Sequence, residues 1–478
     1  MYKPVEKSTI ETLKGIVGDK HVIIDPELIQ DYSHDEFAMK EIAHPPEVVV
    51  KPNTKDEVAQ ICRLATNQQI PITPRGGATG LCGGCVPSLG GISLSLERMN
   101  RIIEIDSDNQ MAVVEAGVML MDFYEAVEDA GLFFPPHPGD ESAMIGGLVA
   151  TNAGGARAVK YGVIRNYVRG LEVVLPSGDV IHPGGKLMKS STGYNLLNLF
   201  IGSEGTLGIV TQATIQLMPP PPSTRSLIVP YDDLQDAIET VPLILKHKIQ
   251  PLAVEFVPKV VINFTEKMLN KRWPCSQGST YLLIILDAVS DLEMDKLSEQ
   301  VAEICLDKGA LDVFVADSPQ KQEQVLAIRS KIYESIKDRN IETLDIVVPR
   351  AEIAKHVARV QEVQEKYDLW LPTYGHAADG NVHTHVMSAR FADGEMIPLL
   401  EEEWKVRLEK VRTELYKDCQ ERGGVISGEH GIGIVKKPYL SLVISEQEIA
   451  LMKAIKHVFD PHNIMNPGKI FDQDLGRA

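Results

Sequence analysis

The sequence predicts an α/β or α+β chain of two or three domains, and three observations carry that prediction. At 478 residues it is too long for one ordinary hydrophobic core. Short apolar, β-branched runs alternate with segments whose apolar residues recur every three or four positions, the period of a half-buried helix. Several of these runs also feed directly into glycine-rich stretches, where backbone can approach a ligand without a Cβ in the way.

Composition narrows the function classes. The chain is 44% hydrophobic and 24% charged, with a net charge of −18, which argues against nucleic acid or anionic lipid as a partner. No apolar run is long enough to span a bilayer, and the first residues, MYKPVEKSTIETL, lack the apolar core of a signal peptide. Six scattered cysteines suit a reducing compartment, so a cytoplasmic location is expected. Cys82 and Cys85 form a lone CxxC. A metal or redox role there would need a second pair, which the sequence lacks.

In chain order, residues 1–45 read as two short lead-in helices and 44–50 as a strand. Thr54 with Glu57 reads as a capping box opening a helix that buries Val58, Ile61, Cys62 and Ala65. Strands follow at 70–73, 92–96, 102–105 and 112–116, with a helix over 120–130. Pro74 to Gly84, PRGGATGLCGG, holds five glycines in eleven residues. Successive N–H groups in such a loop form a concavity suited to phosphate or pyrophosphate. A second stretch starts at Pro138 and runs through IGGLVATNAGGARAVKYG. Gly146, Gly147, Ala150, Ala153, Gly154 and Gly155 leave a face nearly free of side chains there, either for a flat cofactor or for tight helix packing. A third, IGSEGTLGIV over 201–210, enters a strand at 211–217. Pro219 to Pro222 then form a stiff linker. Beyond it, strands at 226–229, 252–256, 281–286 and 312–315 alternate with amphipathic helices. The longest helix starts near Pro398 and has Leu400, Trp404, Leu408, Val411, Leu415 and Cys419 as its apolar stripe.

The order PRGGATG, IGGLVATNAGG, KYGVIRNYVRGLEVVLPSG, STGYNLL and FIGSEGTLGIVT resembles the FAD-binding domain of the vanillyl-alcohol oxidase superfamily. More narrowly, it is similar to the branch of D-lactate, glycolate and D-2-hydroxyglutarate dehydrogenases. The resemblance covers nearly the whole chain. It implies a PCMH-type, two-part FAD-binding domain over 1–222, an α/β substrate or cap domain over 223–421, and a tail, 422–478, packing back on the flavin side. It implies FAD over Arg75, Gly76, Gly77, Ala78, Thr79 and Gly80. Pro138, Gly139, Ser142, Gly146, Gly147, Asn152 and Gly155 form the second wall, with Gly205, Ile209, Val210 and Asn466 nearby. No GxGxxG or GxxxxGK[ST] competes. Some relatives attach flavin through a His in the first loop, which here has none, so non-covalent FAD is expected. His137 is the nearby exception.

For the chemistry, Tyr374 to His385 carries an Asp379-Gly380 turn between two apolar runs. A hairpin there would bring His376 and His383 together, with His383 and His385 on one face. Gly428-Glu-His-Gly431 places a carboxylate beside an imidazole. Two His and a Glu make a divalent-metal set that leaves positions open; on spacing alone they could equally be ordinary polar loop residues. The resemblance supplies GHxxDGNxH and GEHG as the metal motifs, so His376, His383 and Glu429 are expected to hold a divalent ion (Zn, Fe or Mn). By the same resemblance His430 is the acid/base, and Arg329 is the substrate-carboxylate residue, although a solvated helix face is its other reading. Relatives of the 2-hydroxyglutarate type have Asn where this chain has His385, which leaves its role open: a fourth ligand, a substrate contact or neither. They also carry a Lys where Thr343 stands, which favours a small monocarboxylate.

The implied activity is therefore FAD- and metal-dependent oxidation of a small D-2-hydroxy acid, D-lactate to pyruvate before glycolate, with hydride passing to the flavin. Electron-transfer flavoprotein is the expected acceptor, ahead of quinone or cytochrome. The competing classes are a non-catalytic electron-transfer subunit and an oxygen-using oxidase or flavin reductase acting on sugars or cell-wall precursors. The intact GHxxDGNxH and GEHG motifs argue against both.

Overall fold

The computed structural model describes residues 2–37, 39–316 and 318–472. They form two compact units. One comprises 2–153, 163–220 and 429–472, and the other 154–162 and 221–428. The chain leaves the first unit between Pro220 and Pro221, inside the proline run, and returns to it between Gly428 and Glu429. The short excursion 154–162 is not separable in the sequence, because its composition continues that of the glycine-rich stretch before it.

The first unit holds, among the described residues, a four-stranded and a five-stranded sheet. In the smaller sheet, Val48–Val50 and Ile72–Arg75 both run parallel to Ile92–Ser95 between them. Only Val48–Val50 of the expected 44–50 strand forms, since Pro45 and Pro46 have no N–H to give to a ladder. Ile72–Arg75 lies at the sheet edge, where Pro74 is tolerated. The C-terminal segment covers that edge: Ile72 N–H donates to Ile464 O, and Asn466 N–H to Ile72 O, both at 2.7 Å. Helix Lys55–Gln68 starts at Thr54, whose hydroxyl accepts the Glu57 N–H. Glu57 reaches back to the N–H of Asn53 instead of Thr54, so the reciprocal box is displaced by one residue. Val58, Ile61, Cys62 and Ala65 pack with Val48, Val50, Ile72, Ile92, Leu94, Ile464 and Met465. Each of the larger side chains contributes about 1.5–3 kcal/mol by leaving water. The five-stranded sheet is antiparallel throughout and runs in the order Ile102–Asp106, Met111–Glu115, Ile209–Gln216, Val168–Val174, Val180–Ile181.

The second unit is built on a seven-stranded sheet. Its order is Phe314–Ala316, Ser223–Tyr231, Thr280–Ala288, Ala253–Pro258, Thr373–His376, Asn381–Met387, Asn340–Val347. Strands and helices alternate along this part of the chain, and every neighbouring pair of strands is antiparallel. Alternation fixes only that a helix separates two strands; here those strands insert antiparallel neighbours, which makes this unit α+β. Helix Glu401–Glu421 buries Leu408, Val411, Leu415 and Cys419. Leu400 is the residue before its first turn and is 64% exposed, so the apolar stripe starts later than the periodicity suggested. All six cysteines are free thiols. Among the described residues no helix is long and apolar enough to cross a membrane.

Candidate active site

In the first unit, the glycine-rich loop after Ile72–Arg75 faces helix Ile145–Thr151, and the glycines of the two segments divide their work. A Cβ on Gly146 would lie 2.7 Å from Ala116 Cβ, so this glycine lets the helix sit on the sheet. A Cβ on Gly77 would meet Ser142 O at 2.9 Å, so Gly77 brings the two segments together. A Cβ on Gly147, Gly139 or Gly84 would meet nothing within 4 Å, leaving open backbone for a ligand. Ala78 sits at φ 59°, uncommon for a residue with a side chain, and shapes the loop. Of the other residues expected here, Arg75 is buried. Its guanidinium donates to Asp31 O and His34 O, both at 2.8 Å, which makes it a brace for the lead-in segment. Asn152 ends the helix in the left-handed conformation and accepts the Arg165 N–H, while Gly155 falls in the second unit. Ile209 and Val210 are buried in the sheet, and Gly205, at φ +67°, packs its turn on Pro74. Ser142 is tied to Asp140, and His137 faces the Tyr124 hydroxyl at 3.3 Å. Asn466 donates to Gly84 O and Glu204 O, whereas its buried Oδ1 has no hydrogen-bond partner among the described residues. A buried acceptor left open beside a Cβ-free cradle fits a bound group that brings its own N–H or O–H, as FAD does.

The histidine pair lies in the second unit. Thr373–His376 and Asn381–Met387 form the hairpin that the Asp379-Gly380 turn suggested, with Tyr374 opposite His383. Gly380 is obligatory, because its φ is +100° and a Cβ would lie 2.2 Å from Val348 O. His376 Nε2 and His383 Nε2 are 3.4 Å apart. Two nitrogens bound at about 2.0–2.1 Å to one tetrahedral ion are separated by about 3.3–3.4 Å, so the spacing fits a shared divalent cation. The opposite nitrogen of His376, Nδ1, is 2.5 Å from Glu255 Oε1 across the neighbouring strand. As the donor in that bond, Nδ1 carries the proton, which leaves the Nε2 lone pair for a metal.

Glu255 escaped the sequence reading. It is 2% exposed and accepts from His376 and from Arg329 Nε at 3.0 Å, with a further bond from Arg329 Nη2. Burial alone would raise its carboxyl, but Arg329 and His376 outweigh burial and hold it at about 2. The signal was present: a lone carboxylate in the apolar run LAVEFV must have a charged partner if that run is a buried strand. Arg329, expected to meet substrate, is thus locked onto Glu255 and also lies over the Tyr374 ring. His385 Nδ1 is 3.1 Å from the Thr343 hydroxyl, and its ring stacks on Tyr374 at 4.8 Å. The two positions that depart from the 2-hydroxyglutarate pattern are therefore each other's partners.

The GEHG segment spans the chain's passage between units. Gly428 N–H donates to Asp345 Oδ2 at 2.9 Å, and a Cβ on Gly428 would strike Val347 Cγ2 at 2.6 Å. Glu429 and His430 follow directly, with His430 Nε2 4.0 Å from Glu429 Oε1. In the first unit, the next residues dock on Glu204, whose two carboxylate oxygens accept the N–H groups of Ile432 and Gly433. Glu204 was also missed, read only as part of a flavin-side loop.

In the first unit the open glycine backbone leaves room for a bound group, and in the second the histidine pair has the spacing of two ligands to one cation. Sequence comparison agrees: residues 46–184 match the FAD binding domain family and residues 220–470 match the FAD linked oxidases, C-terminal domain family. The chain belongs to the FAD-linked oxidases, and its cofactor is FAD. It is 41% identical to a D-lactate dehydrogenase of Anaerostipes hadrus over 476 residues, 98% of each chain. It is 44% identical to a D-lactate dehydrogenase of Archaeoglobus fulgidus over 423 residues, 88% of this chain and 91% of that one. The fold is shared with a 4-ethylphenol oxidase from Gulosibacter chungangensis at a TM-score of 0.77, with 20% identity, covering 98% of this chain and 97% of that one.

The glycine geometry gives an expected result. Gly147→Val fills open cradle and should yield folded protein with flavin absorbance reduced at least tenfold. Gly77→Val should also lose flavin, but with a lowered melting temperature, because its Cβ meets backbone. A Gly147→Val protein with full flavin content would move the cofactor off this helix.

Proposed function

We propose that this protein oxidises a small D-2-hydroxy acid, D-lactate to pyruvate, using non-covalent FAD and a divalent cation held by His376, His383 and Glu429. The observation that carries this reading is the 3.4 Å approach of two imidazole Nε2 atoms, one oriented by a buried carboxylate, in a chain of the FAD-linked oxidase family. Its similarity to two D-lactate dehydrogenases supports the substrate.

When bound, FAD supplies a two-electron acceptor, and the cation supplies a Lewis acid for the substrate's hydroxyl oxygen. The chain's own residues do the rest. His430 takes the hydroxyl proton on an imidazole nitrogen. Glu255 fixes the His376 tautomer and, by accepting from Nε and Nη2, the plane of the Arg329 guanidinium; Arg329, so held, is the residue proposed to meet the substrate carboxylate. Thr343 contributes a neutral hydroxyl already engaged by His385, a poor partner for a second carboxylate, which favours lactate over 2-hydroxyglutarate.

The test is turnover with an artificial dye as acceptor. D-lactate should reduce the dye, with glycolate slower and D-2-hydroxyglutarate slowest. Absence of turnover with all three would refute the reading, while a preference for glycolate would keep the reaction and change the substrate. The proposed electron acceptor is electron-transfer flavoprotein. NAD should not be reduced by the chain alone, and added electron-transfer flavoprotein should raise the rate; no gain on addition would exclude that partner.

A further inference from the structure

We infer that Glu204 is a positioning residue for His430, clamping the loop that carries the base onto the flavin-side helix. The inference rests on the functional reading above for the role of His430, and its geometry lies entirely within the first unit.

Glu204 sits 226 positions before His430 in the sequence, in IGSEGTLGIV, yet it grips the backbone just after that histidine. Oε1 accepts the Ile432 N–H at 2.7 Å and Oε2 the Gly433 N–H at 2.8 Å. A carboxylate that receives two consecutive backbone N–H groups fixes both the place and the orientation of that peptide segment. The fit is close: a Cβ on Gly431 would lie 3.0 Å from Glu204 Oε1, at φ +82°, and one on Gly433 would lie 2.0 Å from Cys82 O. The other end of the clamp is anchored equally well. Glu204 N–H donates to Ala150 O at 2.7 Å, on helix Ile145–Thr151, and Glu204 O accepts from Asn466 Nδ2 at 2.7 Å. Glu204 itself sits at φ 52°, a conformation uncommon for a residue with a side chain. One residue therefore ties the helix with the open Gly147 to the peptide that follows His430. A displacement of about 1 Å between reacting groups costs about 10²-fold in rate, so such a clamp bears on kcat more than on binding.

Glu204→Gln keeps the size of the side chain but replaces one acceptor with a donor that faces an N–H. The expected result is a 10- to 100-fold fall in kcat for D-lactate, with KM, flavin content and metal content unchanged. Hydrogen exchange of the 431–433 amides should also become faster. The decisive measurement is the double variant with His430→Ala. If Glu204 acts through His430, adding Glu204→Gln to His430→Ala should change kcat less than twofold. A loss that multiplies unchanged onto His430→Ala, or Glu204→Gln with wild-type kcat, would overturn the inference. A His430→Ala enzyme as active as wild type would instead bring down the functional reading beneath it. Should Glu204→Gln fail to fold, Gly431→Ala strains the same contact from the other side. The same dependence on His430 is expected there, and its absence would be equally damaging.

Discussion

Stripping divalent ions with a chelator should abolish oxidation of 2-hydroxy acids while leaving the protein yellow. The separation follows from where the groups lie. The proposed metal imidazoles are on the hairpin of the second unit, whereas the cradle glycines expected to hold FAD, apart from Gly155, are in the first. Metal analysis of the untreated protein should find a divalent ion, and re-addition should restore the rate. His383→Ala removes one of the two Nε2 atoms that face each other at 3.4 Å and should reproduce the chelated state with flavin retained. Glu255→Gln leaves both imidazoles but withdraws the carboxylate behind His376; a loss of about 10- to 100-fold in metal affinity is expected. Full activity in a preparation free of metal would sink the assignment of all three ligands.

How much of this was readable beforehand depended on whether a residue acts within its own segment. The hairpin bearing His376 and His383 was legible, because Asp-Gly between two apolar runs specifies a turn and strand alternation then sets the faces. The capping of helix Lys55–Gln68 by Thr54 was legible for the same reason, although the return bond went to Asn53. Glu255 and Glu204 were not, since their partners are 74 and 228 residues away and only the fold brings them together. Arg329 shows the converse: the motif named it for the substrate carboxylate, but only the fold shows that its guanidinium is already paired with Glu255. The antiparallel order of the large sheet was likewise hidden, because pairing between strands distant in sequence leaves no local trace.

Replacing the proposed base, His430, should give the sharpest split between binding and turnover. His430→Ala leaves Glu429, the proposed ligand, in place and leaves untouched the N–H groups of Ile432 and Gly433 that hold the loop on Glu204. Flavin content, metal content and melting temperature should therefore match the wild type. The rate of D-lactate oxidation should fall on the order of 10²–10⁴, the usual scale for a positioned general base. Because the missing group acts on the proton and not on ground-state binding, kcat should carry the loss and KM should move little. The limb of the kcat/KM profile that reports the free base should vanish with it. In the wild type that limb falls away as pH drops, since a protonated imidazole cannot accept the hydroxyl proton. If His430→Ala kept both its rate and that acidic limb, the proton would have to leave through another group on the chain, and His430 would be reduced to a structural neighbour of Glu429.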